Sequence, residues 1–263
     1  GNKDTSISLK GKNIYSIESY QNSLFVAIHE EKLLSFDIEK GNKVIILGDS
    51  GSGKSTILKL LLKYYEIDRN KIYSKPYKTL QDSTWGLGIV TGDNDKFITG
   101  KSENSEKIYS GKNLSKCFVR ESKKYIDYKR EMFQQVAPDL VYRAKEKLVY
   151  KFVSKNLVFA YDNQQRLFLN SANILIPKVQ NHSIKTVLAF LNSKLFQYVY
   201  HTKFNELKVL KSNLLQLPFP LIGKKDKTKL EEFINDYMTS KNADILEKID
   251  DYIFKIFELS DDE

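Results

Sequence analysis

Residues 157–163 read LVFAYDN and residues 172–177 read ANILIP: two short apolar runs, each stopped by residues that favour turns. Short apolar runs bounded by Asn, Asp, Gly or Pro are typical of β-strands. A third run, GLGIVTG at residues 86–92, leads into the polar loop of residues 93–96. We therefore predict a sheet of short strands through the middle of the chain.

Two stretches with helical spacing follow these strands. Apolar side chains recur three and four residues apart from Ile184 to Val199, which predicts one helix ending before the basic loop of residues 201–205. Residues 245–257 place a second apolar face after Asn242, a suitable N-cap. The fold class is therefore α/β (α+β), with mixed strands and a helical C-terminal extension. The predicted segments are residues 1–70, 71–225 and 226–263.

Positive charge is concentrated in the body of the chain. The net charge is +9, but residues 226–263 hold five Lys and twelve Asp or Glu, which is −7, so the first 225 residues carry +16. A body this basic attracts polyanions, of which DNA is the commonest. Lys outnumbers Arg by 37 to 5, as an AT-rich genome also produces, so solvated surface lysines are an alternative reading of the charge.

Composition excludes several kinds of site. The single cysteine, Cys117, allows no disulfide within the chain and no cysteine-based metal site, and it suits a reducing cytoplasm. The three histidines show no metal-binding spacing, so we predict no metal. We find no apolar run that could span a membrane and no signal peptide, and we expect no membrane partner. The chain opens with Gly1 and not with Met, so we expect a piece of a longer protein.

A glycine-rich loop at residues 48–56 reads GDSGSGKST and fits the phosphate-loop pattern GxxxxGK[ST]. An apolar run precedes it and a helical run follows it, as the pattern requires. The nucleotide-binding candidates are Gly51, Gly53, Lys54, Ser55 and Thr56. Glycine amides are placed to surround a phosphate, Lys54 to reach the terminal phosphates and Ser55 to bind magnesium. The loop predicts a site for ATP and Mg²⁺.

Residues 36–65 resemble the phosphate-loop segment of an ABC-transporter ATPase, with the lead-in SFDIEKG at residues 35–41. The resemblance implies nucleotide binding, but the family's LSGGQ-type signature is missing. Asn163 follows the nearest strand-like acidic run, where the family has a catalytic Glu. A phosphate loop without these partners hydrolyses ATP poorly. ATP with Mg²⁺ is therefore an alternative, set against a loop with no active nucleotide site.

From about residue 71 onward, six motifs follow one another along the chain. They are WGLGIVTGDNDKF at residues 85–97, KNLVFAYDN at 155–163, LNSANILIP at 169–177, LAFLNSKLF at 188–196, LPFP at 217–220 and IDDYIFKIFEL at 249–259. In these motifs and in their order the sequence is similar to the TaqI-like C-terminal specificity domain of adenine-N6 DNA methyltransferases and fused type II restriction–modification enzymes. The resemblance implies that residues 71–225 are a DNA target-recognition domain.

The resemblance implies a reader of DNA sequence and not a catalyst. An adenine-N6 methyltransferase needs a [DNS]-P-P-[YFW] motif to clamp the flipped adenine, and the five prolines of this chain are never adjacent. We therefore predict no catalytic residue and no cofactor in this chain, with S-adenosylmethionine bound by a separate catalytic part. The expected partners are double-stranded DNA and the methyltransferase or endonuclease part of the parent protein.

The candidate DNA-binding side chains combine bases for phosphates with polar groups for base edges. They are Thr91, Asn94, Lys96, Arg143, Asn163, Arg166, Lys203, Lys208 and Lys211. Lys203 and Lys208 suit phosphates, while Asn94 and Arg143 are shaped for the edges of adenine and guanine. Two other hypotheses stay open: a nucleotide-binding module carried by Lys54, and a structural fragment whose C-terminal helices dock on a missing catalytic domain.

Overall fold

The computed structural model describes residues 69–204 and 206–259, together with five strands before residue 48. In chain order the strands are β1 (Ile7–Ser8), β2 (Ile14–Tyr20), β3 (Ser23–Ile28), β4 (Leu34–Asp37), β5 (Ile46–Leu47), β6 (Tyr77–Lys78), β7 (Thr84–Gly86), β8 (Ile98–Thr99), β9 (Glu106–Tyr109), β10 (Leu114–Ser115), β11 (Phe118–Val119), β12 (Tyr125–Ile126), β13 (Lys147–Lys151), β14 (Phe159–Asp162), β15 (Leu167–Phe168), β16 (Ala172–Ile176) and β17 (Phe219–Pro220). The α-helices are α1 (Arg69–Ser74), α2 (Asn94–Phe97), α3 (Asp139–Tyr142), α4 (Ile184–Asn192), α5 (Lys194–Lys203), α6 (Lys211–Leu214), α7 (Lys224–Ser240) and α8 (Ala243–Ile256).

The chain divides into two compact units. The first comprises Gly1–Arg69 with Leu259–Glu263, and the second comprises Asn70–Glu258. In the first unit β2, β3 and β4 form an antiparallel sheet, and β1 pairs with β5 in parallel. The phosphate loop at residues 48–56 lies outside the described residues.

Two four-stranded sheets form the centre of the second unit. The first has the order β14-β13-β16-β7 and is antiparallel throughout. The second has the order β15-β9-β12-β8 and combines a parallel pair with antiparallel pairs. Residues 172–176 form β16 as predicted, and the apolar run before Asn163 supplies β14. The mixed α+β fold predicted from the sequence is confirmed.

The central strand β13 is covered on both faces. Val149 belongs to a core that it shares with Ile108 of β9 and Phe168 of β15. Because side chains alternate along a strand, Tyr150 lies on the opposite face, where it stacks on Phe159 of β14 with 5.0 Å between ring centroids. Helix α4 packs against β13 and β14. Packing on both faces fixes β13 along its length, and it therefore also fixes the positions of the residues at its two ends.

The helix predicted from Ile184 to Val199 is in fact two helices, α4 and α5. Ser193 separates them with an extended backbone (φ −69°, ψ 156°). Its hydroxyl donates to the carbonyl of Phe190 at 2.7 Å and accepts from the amide N of Phe196 at 3.2 Å. Ser193 thus ends one helix and caps the next. Helix α5 continues to Lys203, so the basic loop predicted from residue 201 begins later.

The C-terminal extension packs on the rest of the second unit. Helix α7 contacts α4 and α8, and α8 also contacts α5. Asn242 caps α8 as predicted, since its Oδ1 accepts from the amide N of Asp244 at 3.1 Å. Asp250 of α8 accepts from the amide N of Lys194 at the start of α5, at 2.7 Å. These contacts make the extension part of the same compact unit as the strands.

Candidate nucleic-acid interface

Residues 206–211 run antiparallel to the segment that follows β13. The amide N of Val209 donates to the carbonyl of Phe152 at 2.8 Å, and the amide N of Ser154 donates to the carbonyl of Leu207 at 2.9 Å. Lys208 stands opposite Val153 in this pairing. The backbone hydrogen bonds thereby fix the backbone of Lys208 beside the end of β13, and its side chain is exposed.

Five lysines lie around this pairing and form what we call the lysine surface. They are Lys151, Lys155, Lys203, Lys208 and Lys211. The end of α5 is joined to the pairing by the hydroxyl of Tyr200, which donates to the carbonyl of Lys208 at 3.3 Å, and by Nε2 of His201, 3.3 Å from Oδ1 of Asn156. In the described part of residues 151–156 and 201–211 the only acid is Glu206. The positive charge is therefore largely unbalanced within these segments.

Aromatic rings hold two lysines of this surface. Nζ of Lys203 lies 5.2 Å from the ring centroid of Tyr73, and Nζ of Lys211 lies 5.7 Å from that of Trp85. Trp85 in turn meets Tyr150 of β13 edge-on, with 6.2 Å between centroids. A cation–π contact restricts a lysine without removing its charge. Both ammonium groups therefore keep their attraction for an anion.

A buried ionic cluster lies at the other end of β13. Lys147 and Asp162 are opposed across β13 and β14, each with a side chain 0% exposed, and Nζ lies 2.6 Å from Oδ2. Arg166 donates from Nη1 to Oδ1 of Asp162 at 2.7 Å. Burial lowers the pKa of Lys147, and the contact with Asp162 opposes that shift. Arg166, predicted to contact DNA, is thus already held by an anion of the protein.

The guanidinium of Arg143 is also engaged within the protein. Its Nη1 and Nη2 donate to the two carboxylate oxygens of Glu106 at 2.8 and 2.6 Å, and Nη1 also lies 3.2 Å from the carbonyl of Gln165. The hydrogen bonds that Arg143 donates to Glu106 raise the pKa of Arg143. The ring of Tyr128 lies beneath it, 5.6 Å away. Arg143 is therefore anchored between β9 and the loop that follows β14.

Thr91, Asn94 and Lys96 form a third group, around α2. The polar stretch predicted as a turn is the start of this short helix, which Asp93 caps by accepting from the amide N of Lys96 at 3.1 Å. Thr91 is only 5% exposed, and its hydroxyl donates to Oδ1 of Asn94 at 2.8 Å. Lys96 is exposed beside the ring of Phe97. Here Thr91 orients Asn94, whose side chain faces solvent.

The structure therefore brings the predicted DNA-binding residues together in three places. Arg143, Asn163 and Arg166 lie at one end of β13, while Lys203, Lys208 and Lys211 lie at the other. The six residue steps from Lys147 to Val153 span about 20 Å of extended chain. The third place holds Thr91, Asn94 and Lys96.

The remaining predicted sites are not tested by the described residues. Gly51, Gly53, Lys54, Ser55 and Thr56 all lie outside them. In the part of the chain that the structure describes, no three His, Cys, Asp or Glu side chains are grouped as metal ligands. No helix of that part is long and apolar enough to cross a membrane.

Sequence reasoning missed two features of these surfaces. Lys151 and Lys155 join the lysine surface only because a distant segment pairs beside them. Gln164 and Gln165 are exposed next to Asn163 on the loop between β14 and β15. Their signal was the spacing Asp162-x-x-x-Arg166, in which an acid at a strand end and a base four residues later enclose three amides.

Residues 106–219 match the family model described as the TaqI-like C-terminal specificity domain. The match confirms the resemblance predicted from the sequence motifs, and it takes in both ends of β13 and every residue of the lysine surface. Residues 85–97, which carry the first motif of the resemblance, precede the matched range but lie in the same compact unit.

Solved structures resemble much of this chain in fold. The type IIL restriction–modification enzyme MmeI, in complex with DNA, is 8% identical at a TM-score of 0.50, over 71% of this chain and 34% of that chain. The HsdS subunit from Thermoanaerobacter tengcongensis is 9% identical at a TM-score of 0.41, over 77% of this chain and 53% of that chain. At such identity the likeness to MmeI shows the fold alone.

Curated relatives are similar to this chain only over short stretches of sequence. The chain is 40% identical over 67 residues to the ATP-dependent lipid A-core flippase of Pasteurella multocida and 60% identical over 37 residues to the ABC transporter ATM1 of Plasmodium falciparum. These matches take in 24% and 14% of this chain and span 12% and 4% of the relatives' length. The predicted ABC-like resemblance is therefore local.

Proposed function

We propose that this chain is the sequence-specific DNA-recognition part of a restriction–modification enzyme. The observation that carries the proposal is the lysine surface within a specificity domain, where five lysines face one acid. Lysine binds phosphate as a mobile point charge, and phosphate contacts supply affinity for every duplex sequence alike. Specificity then requires a second set of groups that reach base edges.

In the parent enzyme we assign methyl transfer or DNA cleavage to a separate catalytic part. The adjacent prolines that clamp a flipped adenine do not occur in this sequence. S-adenosylmethionine would therefore bind in that other part, and this chain would hold the duplex in register beside it. The one cysteine, Cys117, agrees with a reducing cytoplasm as the place of action.

The proposal is tested by titrating the chain with a labelled duplex at several salt concentrations. Lys203→Ala with Lys208→Ala should weaken binding to all duplexes. Each lost phosphate contact removes about 0.9 from the slope of log K against log salt, so the slope should fall by about 2.

The matched control is Lys224→Ala with Lys248→Ala, which removes two exposed lysines from α7 and α8, outside the lysine surface. This pair should keep the wild-type slope. A wild-type affinity that does not change with salt, or equal slopes for the two double variants, would contradict the proposed phosphate contacts.

A second candidate function is nucleotide binding, favoured by the complete phosphate-loop sequence and its local identity with ABC transporters. Lys54 and Ser55 would contact the phosphates and Mg²⁺. Calorimetry with ATP and Mg²⁺ decides between the two: the DNA-reading function requires no such binding, whereas micromolar affinity abolished by Lys54→Ala would establish the nucleotide site.

A further inference from the structure

The loop between β14 and β15 presents three consecutive amides to solvent. Asn163, Gln164 and Gln165 are all exposed, and no side chain in the described part of the chain hydrogen-bonds to their side-chain amides. We propose that this amide loop reads base edges in the DNA major groove and that adenine is its target base. The inference rests on the DNA-reading function proposed above and assigns the specificity-determining residues.

The backbone of the amide loop is fixed from below by the buried ionic cluster. Oδ1 of Asp162 accepts from the amide N of Gln164 at 3.2 Å, and Oδ2 accepts from the amide N of Arg166 at 3.0 Å. Lys147 holds the same carboxylate in place. Gln165 takes a left-handed conformation with φ 54°, so the loop turns sharply there. This rigidity favours binding, because ordering a flexible loop on contact with DNA costs affinity.

The two nearby arginines act as positioning residues for the loop. Arg143 bridges the carboxylate of Glu106 and the carbonyl of Gln165, and Arg166 bridges Asp162 and the ring of Tyr109. A guanidinium whose fork already faces a carboxylate is not free to face guanine. This assignment replaces the earlier expectation that Arg143 reads a guanine edge.

The chemistry of a free amide selects adenine. Adenine presents an acceptor, N7, beside a donor, the N6 amino group, in the major groove, and a side-chain amide offers one donor and one acceptor to match. Asn94, the other candidate, differs because its Oδ1 already accepts from Thr91. The side-chain amides of the loop, including that of Asn163, therefore keep both their donors and their acceptors available for a base, whereas Asn94 does not.

The experiment begins with selection of duplexes from a randomised pool by the whole chain. Wild type should enrich a site that contains an A·T pair. The double variant Gln164→Ala with Gln165→Gly removes two amides, and glycine suits the left-handed position. It should bind random duplex as wild type does, yet lose about 5- to 150-fold of its preference at that pair.

Replacing the adenine of that pair by 7-deazaadenine removes N7 and tests the contact from the DNA side. This change should weaken wild type and leave the double variant unaffected. The control variant Asn235→Ala removes an exposed amide from α7 and should select the wild-type site.

The outcomes separate the two hypotheses. If wild type enriches a site and both the double variant and the triple variant that adds Asn163→Ala enrich the same site with the same preferences, the amide loop is not the reader, while the DNA-reading function stands. If 7-deazaadenine has no effect at any adenine of the site, the contact with adenine is likewise overturned. If wild type enriches no sequence at all, the proposed function fails and the inference fails with it.

Discussion

Replacing Asp162 by Asn should destabilise the second unit far more than replacing its partner Lys147 by Met. The carboxylate of Asp162 lies between two cations, with Nζ of Lys147 at 2.6 Å and Nη1 of Arg166 at 2.7 Å. Without its charge these two cations face each other in a buried site. Without the charge of Lys147, by contrast, Asp162 and Arg166 remain as a balanced pair.

The two magnitudes follow from this asymmetry. Removing one partner of a buried ion pair costs about 3–5 kcal/mol, because the remaining charge stays buried without compensation. Asp162→Asn falls in this range. Lys147→Met loses the hydrogen bond from Nζ to the carbonyl of Tyr142, worth about 1 kcal/mol, and avoids the desolvation that lowers the pKa of this lysine. Its net cost should be about 1 kcal/mol or less.

Urea unfolding followed by tryptophan fluorescence measures both variants. Trp85 is the one tryptophan of the chain and lies in β7 of the second unit, so its signal reports on that unit. The midpoint should drop strongly for Asp162→Asn and slightly for Lys147→Met. Equal losses for the two variants, or a larger loss for Lys147→Met, would refute the argument that uncompensated positive charge sets the cost.

Gly88→Ala should cost about 1–3 kcal/mol or more in a melting experiment, because a Cβ there would lie 2.2 Å from the carbonyl oxygen of Leu169; an unchanged melting temperature would contradict the close approach. Asn192→Ala should cost about 1–3 kcal/mol in the same assay, since Oδ1 of Asn192 accepts from the buried amide N of Phe159 at 3.0 Å. Asn192→Gln keeps the polar amide but moves it along a longer side chain, so it tests whether the position of the amide matters as well as its polarity. The wild-type free energy of unfolding should rise relative to Lys147→Met as pH approaches 10.5 from below, because the unfolded chain then binds more protons at this lysine than the folded chain does; parallel pH profiles would show that Lys147 is not the cause. The chain alone should transfer no labelled methyl group from S-adenosylmethionine to DNA, and any incorporation would place the catalytic centre within it.

The strands were predictable wherever the local sequence sets both ends. Residues 172–176 form β16 because an apolar run is stopped by Pro177, and both signals are read within a few residues. The cap of α8 at Asn242 was predictable for the same reason. The break at Ser193 was not, because the apolar spacing continues through it and only the hydrogen bonds of its hydroxyl show that one helix has ended.

The types of residue at the candidate interface could be chosen from the sequence, but their spatial arrangement could not. Basic and amide residues could be chosen from the sequence, but their roles depend on partners far along the chain. Arg143 is anchored by Glu106, 37 residues earlier, and Lys147 lies in an apolar run that gives no sign of its opposite, Asp162. Strand register decides these pairs, and register is set by the whole sheet.

The lysine surface and the amide loop lie at opposite ends of β13. In the function proposed above, affinity for phosphate and discrimination between bases belong to different side chains, so one can vary while the other is kept. The exposed amides at residues 163–165 rest on a backbone that Asp162 and Arg143 hold by contacts that do not involve those side chains. Substitutions at the three tips therefore leave the supporting contacts intact, whereas substitutions at Asp162 remove them. If the amide loop reads bases as proposed, the residues that set the recognised sequence are therefore separate from the residues that keep the fold.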